Sequence, residues 1–232
     1  MLFSLIIKKI FWQNPSYRKL YWKYKHLIDP KWPSIYFNDK KIYGGRNRNF
    51  LVNYICKLKW KSILELGSAS GLNLFLIEKK KKNIEKIEGI DISNYCVNEG
   101  KKILKNFKSK IVLRTGDATS TNYDKSSFDI VFISGVLMDL RDNDTKKIIS
   151  EGLRISKNLL LIHIANYKLH ASLKIKDHGV VYNDHYLRDY HLFIKKNFSK
   201  FLVKSLKINK NTSSYPKKVN FSKLNHIIML KK

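Results

Sequence analysis

The amino-acid sequence predicts an α/β domain built on a mostly parallel sheet. Three observations predict it. Short apolar runs alternate with amphipathic helical stretches from residue 62 to residue 164, a small-residue turn joins the first such run to its helix, and two further strand-like runs close the chain.

At 232 residues, the chain fits one compact domain with an N-terminal extension, and it is long enough to bury a core without disulfides or metals. The expected division is a helical extension over residues 1–45 and a ligand-binding domain over residues 46–232. Hydrophobic residues make up 44% of the sequence, which excludes the composition of a disordered chain.

The extension begins with Phe3, Ile6, Ile7, Ile10 and Phe11 at helical spacing beside Lys8 and Lys9. This run is too short to span a bilayer, lacks a basic residue before it and lacks a small-residue cleavage site after it. A helix packed on its own domain is expected, with membrane-surface contact through residues 1–12 as the alternative. Tyr17, Leu20, Tyr21, Tyr24, Leu27 and Ile28 then share one helical face, and Pro30 and Pro33 end that helix because proline lacks an N–H donor. Phe50, Leu51, Tyr54, Ile55 and Leu58 restore the helical period before the first strand.

Ser62 to Leu66 is the first predicted strand, followed by a helix from Leu72 to Lys82. Strands are expected at Ile87 to Ile92, Ile111 to Arg114, Phe128 to Ser134 and Leu159 to Ile164. Helices fall near 94–107 and 142–156 between them. The tail predicts a helix from Tyr186 to Phe198, then strands at Phe201 to Ile208 and His226 to Leu230 that close the sheet edge antiparallel.

Charge narrows the partners. Lys and Arg total 46 against 18 Asp and Glu, a formal net charge of +28, which favours polyanions such as phosphorylated substrates, nucleic acid or anionic membrane. All but seven of the 46 basic residues are Lys, whereas Arg is the residue suited to bidentate phosphate and base recognition. An anionic small molecule is therefore preferred to nucleic acid. Cys56 and Cys96 form no CxxC pair, so neither a disulfide framework nor a zinc site is expected, and a reduced cytoplasmic setting follows.

The chemistry concentrates in Glu65-Leu-Gly67-Ser-Ala69-Ser-Gly71-Leu-Asn73, placed between a strand and a helix. Small residues there let backbone approach a ligand closely, and the amides of the helix N-terminus suit an anionic group. Asp91 ends the next strand 20 residues after Gly71, the spacing at which a carboxylate meets ribose hydroxyls. Nicotinamide enzymes share that pairing, but their third glycine falls where this chain has Leu72.

With LELGSASGLNL, GIDIS, TGDAT and FDIVFISGVL in that order across residues 64 to 137, the sequence resembles class I methyltransferases. The resemblance implies a Rossmann-like fold with helices on both sheet faces, and S-adenosylmethionine as cofactor. It assigns Glu65, Gly67 and Gly71 to the methionine end, Asp91 to the ribose, and Asp117 with Ala118 to the adenine. Ala69 stands where the family usually has a glycine. The SGVLMDL segment and the later stretch from His178 to Phe193 further resemble small bacterial methyltransferases associated with surface-sugar and pseudaminic acid biosynthesis, which commonly carry His where this chain has Asp139.

In-line methyl transfer needs alignment more than a metal. Where the acceptor is a hydroxyl or an ammonium, a base must take its proton, and His178, His185 and Asp139 are the candidates. His163 lies in an apolar run and reads equally as a core histidine. The loop from Tyr43 to Arg48 can fold over cofactor or bind an anionic substrate. The expected function is methyl transfer to a small, sugar-like or nucleotide-linked metabolite. RNA or protein methylation and a catalytically degenerate scaffold are the alternatives.

Overall fold

The computed structural model describes residues 15–38, 46–163, 180–182, 185–207 and 225–231. The chain forms two compact units, Met1–Asn122 and Tyr123–Lys232.

The first unit opens with helices α1 (Pro15–Ile28), α2 (Trp32–Asn38) and α3 (Arg46–Lys57). Strand β1 (Ser62–Leu66) follows, then α4 (Leu72–Lys80), β2 (Lys86–Asp91), α5 (Asn94–Asn106) and β3 (Val112–Thr115). The strands lie in the order β3-β2-β1, all parallel. Every residue of β1 is buried, as are Leu72 to Ile77 of α4, which accounts for a near-continuous apolar run where a half-exposed strand would alternate. Helices α1 and α2 both pack on α5.

The first helix ends at Ile28, as the prolines predict, but the chain resumes helix at Trp32 with Pro33 in the first turn. Proline is tolerated there because the first-turn N–H groups have no intrahelical acceptor. Stacking of Trp32 on Tyr36, with ring centroids 4.6 Å apart, adds to this short helix.

The second unit contains β4 (Phe128–Ser134), a 3-10 turn at Leu137–Asp139, α6 (Asp142–Ile155) and β5 (Ser156–His163). A hairpin of β6 (Val180–Tyr182) and β7 (His185–Leu187) precedes α7 (Tyr190–Asn197), β8 (Leu202–Lys207) and β9 (Asn225–Lys231). Its sheet order is β4-β5-β9-β8, with β4 and β5 parallel and the last two strands antiparallel. The C-terminal pair thus closes an edge in the expected sense.

The helix expected from Tyr186 starts instead at Tyr190. Residues 185–187 pair as a strand with 180–182, and Asp189 caps α7 by accepting the Leu192 amide at Oδ1, 2.9 Å away. An Asp at that position satisfies an orphan donor of the first turn and sets the boundary.

Candidate functional site

Strand register brings the sequence-predicted carboxylates of the first unit to one edge. Leu66 pairs with Ile90 and Asp91 with Thr115, so the turn after β1, the end of β2 and the turn after β3 emerge side by side at the carboxyl ends of parallel strands. In open α/β sheets that edge is where ligands bind. The Gly67 and Ser68 amides both donate to the Ile90 carbonyl, at 2.8 and 3.0 Å, which holds the turn against β2.

Left-handed backbone shapes this turn. Gly67 and Gly71 have φ of 79° and 87°, and Ala69 has φ of 49°. A Cβ at Gly71 would lie 3.2 Å from both Leu113 methyl carbons, so that position combines a conformation natural to glycine with a close approach. Ala69 adopts the same region with a side chain, and its amide donates to Asp91 Oδ2 at 2.8 Å. The other oxygen, Asp91 Oδ1, accepts the Ser93 amide at 3.0 Å. Burial raises the Asp91 pKa, and backbone hydrogen bonds from Ser93, Ala69 and Ile92 pull it partway back.

Glu65, the fourth residue of β1, is 1% exposed. Asn73 Nδ2 donates to its Oε1 at 2.6 Å, and Arg48 Nε donates to Asn73 Oδ1 at 2.8 Å. Arg48 also reaches the Tyr36 hydroxyl at 2.6 Å, tying α3 to α2. Burial pushes the Glu65 carboxyl up to about 8. The Asn73 hydrogen bond and the Arg48 charge lower it in part, and Asp91 raises it further.

Two buried acceptors here, Glu65 Oε2 and Ser68 Oγ, have no hydrogen-bond partner among the described residues. Buried polar atoms are rarely left so. A ligand carrying an ammonium and hydroxyl groups would supply the missing donors, so these residues fit S-adenosylmethionine.

Asp117 lies two residues past β3 with Ala118 beside it, both half-buried. Its Oδ1 accepts the Thr119 amide at 2.9 Å and the Thr119 hydroxyl at 2.7 Å. Its Oδ2 accepts from Lys19 Nζ at 2.6 Å. Burial raises the Asp117 pKa, but the bonds from Lys19 and Thr119 outweigh it and hold the carboxyl below the usual range.

In the second unit, Asp139 is 8% exposed at the end of the 3-10 turn. Arg141, not Asp139, is the N-cap of α6. Arg188 is 1% exposed and fixes this turn: it donates to the carbonyls of Leu137 and Leu140 and to Thr145 Oγ1, and pairs with Asp142 at 2.9 Å. At the carboxyl ends of β4 and β5, Ser134 Oγ and His163 Nδ1 are 2.8 Å apart. His163 is 5% exposed. His178 lies outside the described residues, as does the segment from Tyr43 to Gly45. For His185 the structure describes the backbone, in β7.

Sequence reasoning gave Asn73, Ser68 and Lys19 no role at this edge, and it expected Arg48 in a loop over the ligand, where the structure has it in α3, bonded to Asn73. Asn73 stood inside the quoted motif, where its period on α4 marks the face toward Glu65. The partners of Arg48 and Lys19 lie 25 and 98 residues away, and no local pattern signals such pairs. Among the described residues, no group of three His, Cys, Asp or Glu side chains gathers to hold a metal. No described helix is long and apolar enough to cross a membrane.

Residues 63–158 match the family described as a methyltransferase domain. Magnesium protoporphyrin IX methyltransferase of Synechocystis PCC 6803 is a structural neighbour at 13% identity, covering 94% of this chain and 100% of that one with a TM-score of 0.65. An S-adenosylmethionine-dependent methyltransferase from Aquifex aeolicus aligns at 14% identity over 87% of this chain and 96% of that one, TM-score 0.60. Phosphoethanolamine N-methyltransferase 1 of Haemonchus contortus aligns at 15% identity over 94% of this chain and 49% of that one, TM-score 0.66. No curated protein matches in sequence. At these identities the structural likeness establishes the Rossmann-like fold. The methyltransferase-domain match at residues 63–158 falls on that fold, over β1 to β5.

Proposed function

We propose that this chain methylates a small anionic metabolite of sugar-like or nucleotide-linked kind, holding S-adenosylmethionine along the strand ends of its first unit. The observation that carries the cofactor half is the pair of buried, unpartnered acceptors, Glu65 Oε2 and Ser68 Oγ. Bound there, S-adenosylmethionine supplies an electrophilic methyl group on a sulfonium.

The chain's own residues bind and orient. Glu65 accepts from the methionine ammonium, with Asn73 and Arg48 fixing the carboxylate. The turn from Gly67 through Ala69 to Gly71 follows the methionine moiety closely, its small residues leaving room for the ligand. Asp91 takes the ribose hydroxyls and Asp117 the adenine amine, beside Ala118. Alignment of the acceptor with the methyl then contributes much of the rate. Proton removal from a hydroxyl or ammonium acceptor falls to His178, His185 or Asp139. Asp139 is the one whose surroundings are described, in a turn that Arg188 holds rigid.

The formal net charge of +28 supports an anionic acceptor, drawn in by the field of many lysines. The test is transfer of a radiolabelled methyl group to pooled sugar nucleotides, phosphorylated metabolites and RNA, alongside calorimetry with S-adenosylhomocysteine. Binding of S-adenosylhomocysteine and label in the small-molecule pool are expected. Label confined to RNA overturns the acceptor class, and absent binding overturns the cofactor reading.

A further inference from the structure

We propose that Lys19 of α1 is a positioning residue for the base of the cofactor, turning Asp117 so that it accepts a single N–H from the exocyclic amine of adenine. The inference rests on the cofactor reading above and extends the site into the N-terminal helices.

An ionised carboxylate accepts at about four lone-pair positions. Three of those on Asp117 are filled: both on Oδ1 by the Thr119 amide and hydroxyl, and one on Oδ2 by Lys19 Nζ. The second position on Oδ2 is left for a ligand. Lys19 is itself fixed by two acceptors, since its Nζ also reaches Thr119 Oγ1 at 3.1 Å. Lys19, Asp117 and Thr119 thus form a closed triangle that sets the plane of the carboxylate.

Stability does not account for the triangle. The side chains of Lys19 and Asp117 are 39% and 37% exposed, and ion pairs that open to water contribute little to folding. A helix 98 residues away in sequence nevertheless delivers a cation to the one carboxylate that the motif order places at the adenine. The chemistry selected is a donor on the base edge.

The experiment compares S-adenosylhomocysteine with its 6-deamino analogue by calorimetry. In the unchanged protein, loss of a hydrogen bond to a charged acceptor should weaken binding about tenfold or more. In Lys19→Met that ratio should fall to about twofold, because the carboxylate is no longer held, whereas Lys19→Arg should keep most of it. Thr119→Val, which removes both hydroxyl contacts of the triangle, should lower the ratio as well and serves if Lys19→Met folds poorly. A merely structural Lys19 would weaken both ligands equally and leave the ratio alone. An unchanged tenfold ratio in Lys19→Met and Thr119→Val, or a ratio near one in the unchanged protein, overturns the proposal while leaving cofactor binding intact. Failure of the unchanged protein to bind either ligand overturns the cofactor reading and this one with it.

Discussion

Binding of S-adenosylhomocysteine should move protons, and the direction should depend on pH. Burial holds Glu65 at about 8, so at pH 7 its carboxyl is roughly nine-tenths protonated before ligand arrives. The α-amino group of the ligand sits beside a free carboxylate, which raises it above the peptide value of about 8, so at pH 7 it is essentially all ammonium. Forming a carboxylate–ammonium pair therefore releases ~0.9 proton from Glu65 with almost no uptake on the amine. At higher pH Glu65 is already ionised, the release fades, and uptake on the amine takes over. Calorimetry in buffers of different ionisation enthalpy reads this number directly. Glu65→Gln should abolish the release at pH 7. No release at pH 7 in the unchanged protein, or the same release in Glu65→Gln, would refute the pairing of Glu65 with the ammonium. The sign for folding also follows. Since burial raises the carboxyl above its ordinary 4.5, protonation favours the folded state, and stability without ligand should fall as pH rises from there towards about 8.

Three further outcomes are expected. Ala69→Gly should raise the unfolding free energy measured in urea by roughly 0.5–1 kcal/mol, the left-handed penalty of roughly 1–2 less the extra freedom of unfolded glycine, roughly 0.5–1; a loss of stability would contradict the left-handed turn at Ala69. Gly100→Ala places a Cβ 2.6 Å from the Ser70 carbonyl oxygen and should cost about 1–3 kcal/mol in chemical denaturation, with weaker S-adenosylhomocysteine binding. Neutrality there would show that α5 does not press on the turn. Arg188→Met should destabilise by about 3 kcal/mol by orphaning buried carbonyls, whereas Asp142→Asn, at a carboxylate that is itself 40% exposed, should cost less than about 1 kcal/mol in the same measurement. Equal losses would place the stabilisation in the ion pair instead.

Local chemistry made the first unit legible. A strand, a turn of small residues and a helix are all specified within residues 62–80, and Asp91 is placed by the length of one helix and one strand. What escaped was decided elsewhere in the chain. Proline at Pro33 reads as a stop from neighbours alone, yet its site in a first turn makes it compatible with helix. Residues 185–187 carry enough apolar character for either period, and pairing with 180–182 decides between them. The side chains that brace the carboxylates, Arg48 on Asn73 and Lys19 on Asp117, come from helices whose approach is set by packing, α3 on α4 and α1 on α5. A lysine-rich composition hides one such lysine among many.

The turn at Ala69 and the end of β2 share a single carboxylate. Since Asp91 Oδ2 already anchors the Ala69 amide, the side chain on which the proposed sugar grip depends is also the one that keeps the neighbouring loop in its coiled shape. Any exchange at this position alters both together, so this pocket cannot evolve a new taste for sugars without also reshaping the wall beside it.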